Sequence, residues 1–288
     1  APLPNISGYT GQYKNVGAIN NKGLEISLNA DVIRTSKFQW TSDFNIGFNR
    51  NRVTELYGGK PELKGLKRLE EGRDMDEWYL REWAGVDPAN GSPLWYTTDE
   101  NGKRTTTDSY NKADRVYCGS AAPKFTGGWM NSFSYKGFTL TANFDFVYGN
   151  LLYNQSRELL DSDGAYADYN SMKLKSGWKR WEKEGDIATH PKAINGGNKN
   201  SNKSSSRYLE KGNYFSLRNL SLGYSIPEKL CGKLGLQRVN VSCSADNLFT
   251  LTPFSGVSPQ LSDSSTDGYA GTIYPLSRRI VFGLNVSF

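Results

Sequence analysis

The last eleven residues, Arg278 to Phe288, constrain the chain more than any other stretch. Ile280, Phe282, Leu284, Val286 and Phe288 fall on one side of an extended strand. Val281, Gly283, Asn285 and Ser287 fall on the other. A strand of about ten residues is long enough to cross a bilayer at the tilt a barrel imposes. A solvent-facing sandwich strand alternates in the same way, so repetition elsewhere has to decide.

It does repeat. Leu24, Ile26, Leu28, Ala30 and Val32 alternate with Glu25, Ser27, Asn29 and Asp31. After the polar turn Arg34-Thr35-Ser36-Lys37, Phe38, Trp40, Phe44, Ile46 and Phe48 alternate with Gln39, Thr41, Asp43, Asn45 and Gly47. The same pattern recurs on both sides of Tyr135-Lys136-Gly137, and again in Leu220/Leu222/Tyr224 and Val239/Val241/Cys243/Ala245. Seven strands are expected, near 24–34, 38–48, 125–134, 138–149, 213–225, 237–249 and 278–288. One arm fits badly. Extending the Leu220 face backwards aims Arg218 at lipid, at about 2–4 kcal/mol near the midplane. A β-bulge or register change near Arg218-Asn219, or a place for Arg218 above the apolar band, is therefore expected.

The connections alternate in length. Those at 34–37, 135–137 and 226–235 are short, and those at 49–124, 150–212 and 250–277 are long. Outer-membrane barrels show this asymmetry, with short periplasmic turns and long extracellular loops. Compact soluble domains rarely keep loops beyond about 12–15 residues. Apolar residues make up only 37% of the chain, and no window approaches the roughly 18 apolar residues of a membrane helix. Aromatics reach 13%, with 17 Tyr, as expected where only alternate residues meet lipid and Tyr and Trp gather at the interfaces.

The fold class expected is therefore an all-β transmembrane antiparallel barrel. Seven strands are too few to close it around a usable lumen. Open edges in hydrocarbon cost several kcal/mol per unpaired backbone group. Further strands must complete the wall, so the chain is expected to be the C-terminal part of a larger barrel. Its start at Ala1, without an initiator Met or signal peptide, fits either a processed start or a piece of something longer.

The net charge is +6, but its lysines and arginines sit among Asn, Ser and Gly in loops and form no stripe, so a nucleic-acid partner is not expected. Cys118, Cys231 and Cys243 lack metal spacing and read as unpaired. Asp161-Ser162-Asp163-Gly164 has the start of a calcium loop without its later ligands, and reads as a plain turn. His190, the sole histidine, precedes Pro191 and reads as solvated. Asn195 to Ser206 is a low-complexity run that reads as mobile, and Ser176 to Trp181 reads as a short helix. No metal, cofactor or catalytic residue is expected.

Specific motifs then accumulate. Asn15-Val16-Gly17-Ala18-Ile19-Asn20-Asn21-Lys22-Gly23-Leu24-Glu25 comes first, followed by Gly85-Val86-Asp87-Pro88-Ala89-Asn90-Gly91-Ser92-Pro93-Leu94-Trp95. Next come Ala122-Pro123-Lys124-Phe125-Thr126-Gly127-Gly128, Ser206-Arg207-Tyr208-Leu209-Glu210 and Asn219-Leu220-Ser221-Leu222-Gly223-Tyr224-Ser225-Ile226-Pro227. Asp246-Asn247-Leu248-Phe249-Thr250 and Tyr274-Pro275-Leu276 close the series. In this order, and over nearly the whole chain, they resemble the SusC/RagA family of TonB-dependent outer-membrane transporters. Ser258-Pro259-Gln260 departs from the acidic Asp-Pro-Glu that members tend to carry there.

The resemblance implies a 22-stranded barrel, the size class of plugged outer-membrane transporters. It also implies an N-terminal plug and earlier barrel strands lying outside this chain, a SusD-like surface lipoprotein closing over the mouth, and energy relayed by TonB. Import of oligosaccharides or peptides across the outer membrane of a Gram-negative bacterium follows from it. A passive porin, or a soluble carbohydrate-binding β-sandwich, is the alternative. Trp78, Trp83, Trp95 and Tyr96 in the first long loop, and Trp178 and Trp181 in the second, are candidates to stack on substrate or meet the lid. Packing within the loops is the competing reading. Asp43, Asn45, Asn143, Asp145, Asn240 and Asp246 are expected to face the lumen.

Overall fold

The computed structural model describes residues 8, 17–169, 171–261, 268–271 and 274–288. The Pro-, Gly- and Asn-rich stretch 1–20 reads as loop in the sequence; most of it lies outside these residues, and from Ala18 it is strand. Seven strands form one sheet in chain order: β1 Ala18–Arg34, β2 Phe38–Glu55, β3 Phe125–Tyr135, β4 Phe138–Tyr148, β5 Tyr214–Ser225, β6 Arg238–Leu251 and β7 Arg279–Ser287. Every neighbouring pair is antiparallel. The first hairpin extends further than its apolar alternation, since Ala18 to Gly23 pair with Asn49 to Glu55. Those residues are mostly polar, so the side-chain signal fades while the backbone ladder continues.

Residues directly opposite one another in a ladder share a face, so the register can be read across the sheet. Asn29, Asp43, Met130, Asn143, Asn219, Asp246 and Arg279 form one rung spanning all seven strands. Its members bond laterally. Asn29 donates to Asp43, Asn219 donates to Asp246 at 2.7 Å, and Arg279 reaches Asp246 at 2.7 Å. On the other face, Ile33, Trp40, Phe133, Leu140, Leu222, Cys243 and Phe282 make an equally continuous apolar rung. That face is not covered by a second layer: Leu28 is 61% exposed, Leu222 48% and Phe282 80%. A β-sandwich core would bury these side chains.

Asn131 and Ser42 are polar residues within the apolar band, and both are satisfied there. The Trp40 indole donates to Asn131 Oδ1 at 3.0 Å, and the Trp129 indole donates to Ser42 Oγ at 2.9 Å. Leaving either side chain unpaired in hydrocarbon would cost several kcal/mol. The misfit at Arg218 resolves as a bulge. The β4 partner passes from Asn219 to Leu217, the β6 register shifts at the same place, and Arg218 stands opposite nothing. It turns to the polar face, where Nε lies 3.5 Å from Asp145.

All long connections leave one end of this sheet, after Glu55, Tyr148 and Leu251, and all short turns lie at the other. At the tightest turn, Lys136 and Gly137 have φ of 45° and 85°, the two-residue geometry that matches strand twist. A Cβ on Gly137 would approach the Ser225 carbonyl to 2.8 Å. Gly137→Ala should therefore lower stability by about 1–2 kcal/mol, from the left-handed backbone alone. Urea titration of refolded protein in detergent checks this. β1 and β7 each have a single neighbour and do not pair with each other, so the sheet is open at both margins.

The long connections carry their own structure. A four-stranded sheet (Glu62–Lys64, Lys67–Leu69, Glu77–Arg81, Arg115–Ser120) and a three-stranded one (Trp83–Val86, Pro93–Thr98, Arg104–Thr107) come from the first. A small sheet joins Leu151–Asn154 to Leu209–Lys211 and Tyr269–Ala270. The four-stranded sheet and the small one share a core of Trp78, Leu80, Ala121, Tyr153 and Tyr208.

Candidate functional site

The polar face and the loop assembly above it are the two surfaces with chemistry to offer. On the sheet, Asp43, Asn143 and Asp246 share one rung. Asn45 and Asp145 share the next through Gly128, and Asn240 sits between Ser225 and Asn285. All six occupy the face opposite the apolar rungs. Asp145 also accepts from the Tyr214 hydroxyl at 3.1 Å.

The aromatic candidates separate. Trp78 is fully buried, because strand alternation turns Trp78 and Leu80 inward together, and its indole donates to the Leu151 carbonyl at 3.0 Å. Trp95 is also fully buried, between Trp83 and Tyr110. Trp181 is buried against Gly91, with its indole donating to the Pro88 carbonyl at 2.9 Å. These three hold the loops together and offer no face to a ligand. Trp178 is half-buried between the Arg157 guanidinium and the His190 ring. Trp83 is half-buried and covered by the Arg207 guanidinium. Tyr96 lines a cleft. The cleft is open, about 620 Å³, and is also lined by Glu82, Arg104, Asp114, Tyr117 and Cys118.

Within that cleft Arg104 lies over the Tyr96 ring and pairs with Glu82 at 2.9 Å. Burial and a hydrogen bond to Glu70 push the Tyr117 hydroxyl up to about 12. It stays a neutral phenol at any physiological pH. Burial pushes the Cys118 thiol up to about 11, which leaves almost no thiolate to act as a nucleophile. The cleft can therefore bind through hydrogen bonds and ring faces.

Several sequence expectations fail in the second long loop. His190 is 1% exposed rather than solvated. Its Nε2 lies 2.9 Å from Asp161 and its Nδ1 lies 2.8 Å from the Thr189 hydroxyl. Asp161 also meets Arg157 at 3.0 Å and Arg207 at 3.4 Å. Asp163 meets Arg180 at 2.6 Å, Arg207, and the Ser201 hydroxyl at 2.7 Å. Arg157 reaches Glu210 at 2.9 Å. Asp161, Asp163 and Glu210 are thus matched by Arg157, Arg180 and Arg207, and a cation has no place between the two aspartates.

The Asn195–Ser206 run is not loose. Asn198, Ser201 and Ser205 are buried, and the Asn198 amide donates to the carbonyls of Gly91 and Lys192. No helix forms over Ser176 to Trp181, because Arg180 and His190 make a β-bridge instead. The expectations for His190 and for Asn195–Ser206 treated polar residues as solvent-facing when they are internal bonding partners. Ser206-Arg207-Tyr208-Leu209-Glu210, quoted above for a resemblance alone, supplies Arg207 and Glu210 to this network, and nothing in the sequence marked Arg157 as a member.

Burial raises the Asp161 carboxyl, yet the His190 hydrogen bond and the nearby Arg207 and Arg157 charges outweigh it and hold the carboxyl below its usual value. A carboxylate depressed in the folded state contributes stability above its unfolded value of about 3.9, and loses it as pH falls through the folded value. The loop core should therefore stay intact from neutral pH to about 4 and loosen below that. Trp178 emission followed from pH 7 downward reads this directly. A change already complete at about pH 6 would contradict it.

No sequence-family profile matches the chain. Three of its relatives are named receptors or transporters. TonB-dependent receptor P3 of Formosa agariphila is 29% identical over 323 residues, covering all of this chain and 30% of that protein. TonB-dependent receptor SusC of Bacteroides thetaiotaomicron is 22% identical over 300 residues, covering 96% of this chain and 27% of that protein. The solved RagAB peptide transporter superposes with a TM-score of 0.83 at 28% identity, over all of this chain and 31% of that one. The chain thus spans about 30% of the length of the proteins it matches. Ordered motifs, a greasy-and-wet open sheet and whole-length likeness in sequence and fold agree: over its whole length the chain is similar to one part of the SusC- and RagA-type TonB-dependent receptors of the Gram-negative outer membrane.

Proposed function

We propose that this chain forms the C-terminal barrel wall and the outer loops of a TonB-dependent importer. The importer takes up oligosaccharides or peptides together with a SusD-like surface lipoprotein. One observation carries the reading: a single open sheet has one face of exposed apolar rungs, one face of polar rungs, and two unpaired margins. Such a sheet is stable in a membrane only when further strands meet both margins and lipid covers the apolar face. With the long loops outside, the polar rungs carrying Asp43, Asn143 and Asp246 line the lumen, and the Tyr96 cleft faces the incoming substrate. Trp83 and Trp178 hold the loops against the lid rather than contacting substrate. The plug and the TonB-contacting segment belong to the remainder of the receptor.

Resemblance to a peptide transporter supports import, and the mixed hydrogen-bonding and aromatic lining of the Tyr96 cleft suits either substrate class. The test is uptake by cells of labelled peptide and labelled oligosaccharide, with and without TonB, combined with affinity purification of the full-length receptor. TonB-dependent uptake of either class and a copurifying lipoprotein are the expected results. Uptake that persists without TonB, with no lipoprotein bound, would fit a passive porin instead.

A further inference from the structure

The extracellular half of the β1–β2 hairpin carries a charge pattern that the import function leaves unused. Lys22 and Arg50 are directly opposite in the ladder, and Asn20 is opposite Arg52. These positions continue the outward, apolar face, immediately beyond the pair Leu24 and Phe48. At a rise of about 3.4 Å per residue, Lys22 and Arg50 stand roughly 7 Å above that last apolar pair. Asn20, Lys22, Arg50, Asn51, Arg52 and Thr54 line a groove of about 350 Å³ that contains three cations and no carboxylate.

Like charges directly opposite on a ladder repel; Arg50 and Arg52 also border a cleft of about 800 Å³ that holds Glu71, Asp74 and Glu77, without forming an ion pair with them. Among the described residues, Lys22, Arg50 and Arg52 form no ion pair. The carboxylates within the same strands, Glu25, Asp31 and Asp43, lie on the opposite face. Glu55 closes β2 beyond the register shift near Ala18 and forms no ion pair with them. Long basic side chains at this height lay their stems along the apolar rim and hold their charge at head-group level.

We propose that this groove is a binding site for a phosphorylated lipid head group of the outer leaflet. Lys22, Arg50 and Arg52 contact the phosphate, and Asn20 and Thr54 bond its neighbouring oxygens. The occupant is lipid rather than free phosphate because Asn20, Lys22, Arg50 and Arg52 stand on the outward face, directly beyond the apolar pair Leu24 and Phe48. The bound head group would fasten the outer rim of this hairpin at a fixed depth. This rests on the outward reading of the apolar face under the proposed function.

The test uses the full-length receptor and its triple variant Lys22→Gln, Arg50→Gln, Arg52→Gln, each reconstituted in phosphatidylcholine containing phosphatidic acid. Native mass spectrometry then counts the retained phosphatidic acid. The wild type should retain it, with affinity falling about fivefold per charge removed and on the order of a hundredfold for all three. Equal retention by the variant would overturn the proposal. So would loss of the lipid from wild type on adding millimolar inorganic phosphate, which would assign the groove to the free anion. A mobility shift between unheated and boiled samples on a gel, of the same size in variant and wild type, shows that both fold. Quenching of Trp129 emission by brominated lipid, read against Trp129→Phe, tests the outward reading separately. Quenching with equal retention sinks only the head-group site, whereas absence of quenching sinks both.

Discussion

Replacing Arg207 by Ala should collapse the second outer loop while leaving the barrel strands paired. Arg207 is almost fully buried and bridges Asp161 and Asp163 at once. Burial works against its charge, but Tyr208 and the two carboxylates outweigh that and raise its pKa further, so the guanidinium stays charged. Its removal leaves two buried carboxylates with one fewer cation each, a change that costs about 3–5 kcal/mol. Exposed pairs are worth about 0–1 kcal/mol, so Lys199→Ala, which breaks the exposed contact with Asp108, serves as the contrast. Hydrogen exchange over 157–210 reads the difference. Strong loss of protection in Arg207→Ala and little in Lys199→Ala is expected. Equal, small effects would show that the network does not hold the loop.

A second large effect separates two adjacent residues. Leu28→Arg should destabilise the receptor in bilayers by about 2–4 kcal/mol, the cost of a cation on the lipid face near the midplane. Leu28 already stands 61% exposed, so few protein contacts are lost with it. Asn29→Arg, one residue on, points to the polar face beside Asp43 and should change stability by about 0.5 kcal/mol or less. Urea titration of both variants folded into vesicles gives the comparison. Similar costs at the two positions would mean that the faces do not differ in their surroundings.

These two predictions also mark what the sequence could and could not show. The sheet was legible because membrane strands repeat a single contrast every second residue, and seven such stretches, from Leu24 onward to Phe288, stand out. Even the irregularity at Arg218 was visible, since a charge breaking an apolar phase demands a bulge. The strand ends were less legible. Asn49 to Glu55 pair as strand without any apolar alternation. The loops were read poorly because long-range polar bonds decide their interior. Asn198 and Ser201 look like linker residues until Gly91, more than a hundred positions earlier, and Asp163 are seen to bond them. For Trp78 and Trp95 the sequence set substrate or lid contact beside packing within the loops, and the fold encloses both.

The most direct measurement uses spin labels placed singly from Phe138 to Tyr148 in the full-length receptor in bilayers, with collision rates recorded for oxygen and for a water-soluble nickel complex. Phe138, Leu140, Ala142, Phe144, Phe146 and Tyr148 share a face with the apolar rungs, and Thr139, Thr141, Asn143, Asp145 and Val147 share the other. Oxygen collisions should peak at every even-numbered position and dip at every odd one. A flat profile, or one with the opposite phase, would contradict a wall whose greasy side meets lipid.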